Sequence, residues 1–223
     1  MKEILKVLVG SRAHGLENEN SDYDYRGVYI QPTEELLKIN PKIAASNWHE
    51  DKKEKEDNTS WEIGRFMFLA TKCNPTILEV FCAPVIESTD EGMALRAQFS
   101  RVWNAKGVMD AFIGYGLNQR KKFLADKDKR PHKYATAYLR TLIQAYELLT
   151  FGILRVSFED HSMFETLKRF KSGQYEVGEV IQKTWEWENL VKKSYEHNPD
   201  KKTDFDQLNT FLIKIRKRNW DAK

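Results

Sequence analysis

The sequence predicts an α+β protein, with a small α/β core over residues 1–85 and a mainly helical domain over residues 86–223. Three observations carry this. Short aliphatic and β-branched runs near the N-terminus end in turn residues. The apolar period changes from about 2 to about 3.6 beyond residue 60. From Pro84 onward, Gly and Pro breaks cut long helical patterns.

Ile4–Val9 is a buried strand that turns sharply at Gly10-Ser11, and Asp22–Ile30 alternates polar and apolar residues as a second strand. Thr33 caps a short helix, Glu34–Ile39, which Asn40-Pro41 stops. Lys42–Asp57, with Trp48 and the run EDKKEKED, reads as a hairpin or ragged edge strands. Ser60 is read as the N-cap of a helix carrying Ile63, Phe66, Met67 and Ala70, and Asn74-Pro75 starts another with Ile77, Leu78 and Phe81. Further helices are expected at 89–102, 107–125, 131–151, 161–171, 175–197 and 203–220.

Of the 223 residues, 41% are hydrophobic and 31% charged, which suits a soluble globular protein. No apolar run reaches the roughly 18–20 residues that cross a bilayer. Lys2, Glu3 and Lys6 interrupt what would be the apolar stretch of a signal peptide, so a cytoplasmic place without a membrane partner is expected. Cys73 and Cys82 form neither a disulfide framework nor a zinc motif. Charge is split: residues 1–85 hold 11 Lys and Arg against 14 Asp and Glu, residues 86–223 hold 25 against 19. An acidic front suits cations and a basic back suits a polyanion.

The stretch GSRAHGLENENSDYDYRGVYI, residues 10–30, concentrates the chemistry. Gly10-Ser11 after a strand is a turn where backbone N–H groups and a hydroxyl can meet a phosphate, and Gly15 keeps the next turn open. Asp22 and Asp24 sit two apart, so a strand puts both carboxylates on one face, where they repel unless a cation lies between them.

Gly10-Ser11-x3-Gly15, with Asp22-x-Asp24 beginning eleven residues after Ser11, resembles the signature of the DNA polymerase β-like nucleotidyltransferases. With NPTILEVF at 74–81 and HKYATAYLRTLIQAYELLTFGILRV at 132–156, residues 4–156 are similar to the RNA repair pathway DNA polymerase β family, found in bacteria and phages. The resemblance implies a polymerase β-like core with a mixed sheet and a helical domain completing the cleft. It implies transfer of a nucleoside monophosphate from an NTP to a hydroxyl of RNA, a tRNA-like or damaged 3′ end, releasing pyrophosphate. It also implies two Mg²⁺ or Mn²⁺ ions and an association with an RNA ligase.

Carried onto this chain, Gly10 and Ser11 hold the nucleotide phosphates, Asp22 and Asp24 bind metal, and Asp57 is the third carboxylate. Arg12 offers a fork to phosphate oxygens, His14 can polarise a phosphate, and Arg26 and Glu79 read as ion-pairing groups. Lys133 and Arg140 lie seven apart, two turns along one helix face, and point at the nucleotide across the cleft. Between Arg120 and Lys133, seven Lys or Arg stand against two Asp, with aromatics interleaved, a mixture that suits a nucleic acid or a solvated helical corner. Two alternatives stay open: nucleotidylation of a protein or small-molecule hydroxyl, and a nucleotide- or RNA-binding module without catalysis.

Overall fold

The computed structural model describes residues 1–40, 47–51 and 56–221, with residues 47–51 and 56–57 described by their backbone alone. In chain order its front half runs β1 (Lys2–Val9), α1 (Gly10–Ala13), β2 (Tyr23–Ile30), α2 (Thr33–Leu36), β3 (Asn47–Asp51), β4 (Glu56–Glu62), α3 (Ile63–Thr71), α4 (Pro75–Cys82) and β5 (Val85–Ser88). The rest is helical: α5 (Asp90–Arg96), α6 (Phe99–Val102), α7 (Ala105–Leu124), α8 (Pro131–Phe151), α9 (Phe164–Lys171), α10 (Val177–His197) and α11 (Phe205–Arg218). None of the helices among the described residues is long and apolar enough to cross a membrane.

The five strands form one mixed sheet in the order β3-β4-β2-β1-β5. β1 pairs antiparallel with β2, placing Val9 opposite Asp24, and with β5, placing Leu5 opposite Ser88. β2 and β4 pair in parallel, with Asp24 opposite Asp57, and β3 closes antiparallel on β4. The expected α+β architecture with a mixed sheet is therefore present. β3 and β4 pair as the arms of the expected hairpin, while 41–46 and 52–55, with half of the charged run, lie outside the described residues.

Several local expectations change. Thr33 is the first residue of α2 rather than its cap, its hydroxyl donating to Arg216 O at 2.8 Å, and the helix expected at 89–102 breaks into α5 and α6. Ser60 is a strand residue, because Asn58 to Glu62 pair with Tyr25 to Tyr29. The helix starts three residues later, capped by the Glu62 carboxylate, which accepts from Gly64 N at 2.7 Å. The segment after Pro84 begins with β5 rather than a helix, since Val85–Ser88 finds the free edge of β1. A short apolar run is ambiguous in period and only its partner decides it.

Local chemistry sets the longer helices. Asn74 and Asn104 accept backbone N–H bonds at the starts of α4 and α7, and Pro75 and Pro131 occupy first-turn positions where no N–H is needed. α8 ends at Gly152, whose φ of +71° suits a residue without a β-carbon. One hydrophobic core runs from the sheet (Ile4, Val28) through Phe66 and Leu78 to Phe112, Tyr138 and Ile215, continuous across residue 85. A smaller core joins Leu16, Phe123, Leu139, Phe158 and Phe170. α7 packs tightly on α8 at Gly116, where an added β-carbon would lie 3.0 Å from the Tyr138 ring.

Candidate active site

β1 runs into Gly10 at a φ of +72°, a conformation that L side chains rarely adopt, and the chain makes one helical turn through Ala13. Backbone bonds close the turn: His14 N donates to Gly10 O at 3.2 Å and Leu16 N to Ser11 O at 2.9 Å. Any β-carbon on residue 10 would overlap the Asp24 carboxylate. The absent side chain thus lets the phosphate-type turn and the acid touch. Gly15, at a φ of +69°, makes the same kind of room for the Glu159 side chain, while His14 O accepts from Phe158 N at 3.1 Å.

This corner forms one wall of a cleft of about 450 Å³, with Gly10, Ser11, Asp22 and Asp24 on the sheet side. Facing them are Lys133 and Arg140 from α8 and Lys171 from the end of α9, with Arg130 and His132 also on the lining. α7 adds Tyr115 and Gln119. Burial lowers the pKa of Lys171; Lys133 and Arg140 push the same way, and the Asp24 carboxylate opposes them. His132 is held below its ordinary value by burial and then by Lys171, Arg130 and Lys133. Such crowding of cations favours an anionic ligand.

Beneath the turn, His14 Nε2 lies 2.5 Å from Glu79 Oε1, and Arg140 Nη1 lies 3.8 Å from the same oxygen, all three side chains nearly or fully buried. Burial alone would raise the Glu79 carboxyl, but His14, Arg140 and Arg26 outweigh it and hold the group down at about 2. Burial lowers the His14 pKa and Arg140 adds to this, against the raising effect of Glu79. The short His14–Glu79 contact thus joins two groups whose shifts are set by the same burial and by each other. Arg140 also donates to Gln144 Oε1 at 3.1 Å, so one buried network ties the Gly10 turn to α8.

The sequence-derived candidates fall into three groups. Gly10, Ser11, His14, Asp22, Asp24, Lys133 and Arg140 all line the cleft. Arg12 does not: it donates to Ser21 O at 2.9 Å and lies 4.0 Å over the Tyr23 ring, so it braces the segment leading to Asp22. Gly15 likewise packs against Glu159. Asp57 lies beside Asp24 in the strand register, and its side chain is outside the described residues.

Among the described residues no three metal-ligating side chains gather. Asp22 and Asp24 nevertheless fit hard divalent cations in their donor type and their place on the lining, and the strand register brings the backbone of a third acid alongside. Sequence reasoning missed Lys171, His132 and Gln119 as lining residues, and set Arg130 and Tyr115 in a nucleic-acid surface rather than in the cleft; nothing local to α9 marks Lys171.

A family model described as the RNA repair pathway DNA polymerase beta family matches residues 1–214. The uncharacterised protein YcgL of Bacillus subtilis is 24% identical over 136 residues, which is 60% of this chain. The match spans 52%, about half, of that relative's length. A solved nucleotidyltransferase-like protein from Exiguobacterium sibiricum aligns with 97% of this chain and 74% of its own, at 9% identity and a TM-score of 0.33.

Proposed function

The chain belongs to the RNA repair pathway DNA polymerase beta family, and on that premise we propose that its cleft transfers a nucleoside monophosphate from an NTP to an RNA 3′ hydroxyl. The observation that carries this reading is the opposition of two walls across one cleft. Gly10, Ser11, Asp22 and Asp24 stand on one side, and Lys133, Arg140 and Lys171 on the other.

In the proposed reaction the acceptor oxygen bonds to the α-phosphorus, the α–β phosphoanhydride bond breaks, and pyrophosphate leaves. The hydroxyl proton passes to a cleft carboxylate. Gly10 and Ser11 offer backbone N–H and hydroxyl donors to the triphosphate, and Lys133, Arg140 and Lys171 neutralise it and the charge that grows on pyrophosphate. Asp22, Asp24 and Asp57 would hold Mg²⁺ or Mn²⁺, which supplies charge neutralisation at the attacking and leaving oxygens when bound. Arg12 acts on Asp22 indirectly, through Ser21.

The RNA acceptor is supported by the family description and by the basic ground at the cleft. Arg130, His132 and Lys133 on the lining continue into the exposed Lys121, Lys127 and Lys129. An RNA ligase acting on the same ends is the partner this reading implies, and the cytoplasm its place.

Incubation with each α-³²P-labelled NTP, Mg²⁺ and total cellular RNA tests the proposal. Label on RNA that disappears in the Asp22→Ala, Asp24→Ala double variant supports it. Label on polypeptide or on a metabolite replaces the acceptor, and label on RNA that persists in the double variant overturns the assignment of the site.

A further inference from the structure

We infer that Tyr115 and Gln119 form the nucleobase subsite of the cleft, and that it takes adenine. This rests on the nucleotidyltransferase reading. Gln119 is 5% exposed and lines the cleft, yet its carboxamide has no hydrogen-bond partner among the described residues. As a rule buried polar side chains are paired, so one left open towards a cleft is a group waiting for a ligand or for ordered water. The other buried polar residues of α7 and α8 show the contrast. Thr136 and Thr141 donate to backbone carbonyls one turn back, Gln144 bonds Arg155 O at 2.7 Å, and Glu147 pairs with Arg155.

The composition of the lining separates two kinds of ground. Its cations come from α8, the segment just before it, and α9, where the phosphates of a nucleotide would lie. α7 contributes only Tyr115 and Gln119, an aromatic ring and a neutral amide. They are four residues apart and share one helix face. The Gly116 contact with Tyr138 draws this part of α7 close against α8. A nucleotide has the same division, charged at one end and flat, aromatic and neutral at the other.

A carboxamide presents one donor and one acceptor side by side. On the edge that carries N7, adenine presents the N6 amino donor beside the N7 acceptor, a bidentate match, whereas the same edge of guanine shows two acceptors, O6 and N7, and calls for a cationic fork. A purine also offers Tyr115 a larger stacking face than a pyrimidine.

Calorimetry with ATP, GTP, CTP, UTP and inorganic tripolyphosphate, each with Mg²⁺, tests the subsite on the full chain. The expected result is ATP bound about tenfold tighter than the other three. Gln119→Ala should abolish that preference while tripolyphosphate binding stays unchanged, and Tyr115→Leu should weaken all four nucleotides but not tripolyphosphate. Preference for another base, or an ATP preference that survives Gln119→Ala, overturns the adenine assignment. Equal binding of nucleotides and tripolyphosphate overturns the subsite alone. Failure of every nucleotide and of tripolyphosphate to bind overturns the nucleotidyltransferase reading, and the subsite with it.

Discussion

The carboxylate of Asp24 occupies the space that a β-carbon on Gly10 would fill. The turn and the acid strand are therefore fitted to each other by the one residue type that leaves no side chain between them. The positive φ of Gly10 adds a second reason for glycine at the same point.

Gly10→Ala consequently meets two penalties. The left-handed conformation costs about 1–2 kcal/mol with a side chain present, and the new methyl must displace Asp24. The expected outcome is a folded protein, by circular dichroism, whose nucleotidyl transfer falls about 100-fold or more, the scale of a displacement of about 1 Å at a reacting centre. A variant with unchanged turnover would show that Asp24 is not at the reacting centre.

Acid should loosen the molecule through Glu79 and His14. Glu79 sits at about 2 when folded against about 4.5 when unfolded, so its contribution is complete above pH 4.5 and is lost as pH falls towards 2; it amounts to about 3 kcal/mol. The depressed His14 works in the same direction, its contribution being present above its unfolded value near 6.5 and lost below it. Urea unfolding at several pH values should show stability level above pH 7 and falling in two stages below it. Glu79→Gln should remove the lower stage, and a variant that keeps it would place the acid sensitivity elsewhere.

Lys171 is the cleft cation with no forewarning in its local sequence. Lys171→Met should raise the dissociation constant for Mg-NTP about tenfold, the loss of one charge-assisted contact, with a smaller effect at high salt. Lys168→Met, at an exposed position on the same helix, should leave it unchanged. Fluorescence titration of both variants checks this, and equal affinities in the two would remove Lys171 from the nucleotide site.

Glu147 receives Arg155 Nε at 3.0 and 2.9 Å through its two oxygens, with His161 Nε2 3.6 Å away. Its side chain is almost buried, so Glu147→Ala leaves Arg155 with the exposed Asp160, 2.9 Å from Nη1, as its remaining counter-charge and should cost about 1–3 kcal/mol in urea unfolding. A loss below about 0.5 kcal/mol would mean that the pair is no more than a surface contact.

Much of the candidate site is legible along the chain because it is local. Gly10, Ser11, Asp22 and Asp24 lie within fifteen residues, and glycine at a strand end and acids two apart at a strand start, Asp22 just before β2 and Asp24 in it, carry their geometry in their identity. Lys133 and Arg140 were readable for the same reason, being two turns apart on a helix that Pro131 starts and Gly152 ends. Arg12 shows the limit, since proximity to the turn could not reveal that Ser21 O and the Tyr23 ring would claim its guanidinium. Ser60 misled because a good capping residue is also an acceptable strand residue, and the parallel partner β2 settled which it became.

By itself the sequence determined the α+β class, the glycine turn with its acid pair, and the bounds of the long helices, because dihedral preference, capping and apolar period act between near neighbours. Only the tertiary structure decided that Val85–Ser88 would join the sheet edge and that Asp57 would stand in register with Asp24. It also decided that Lys171 and Gln119 would face the cleft and that Glu79 would lie under His14 and Arg140. These are pairings between segments far apart in the chain, set by which strand edge was free, which helix faces interlocked and which buried charges needed a partner.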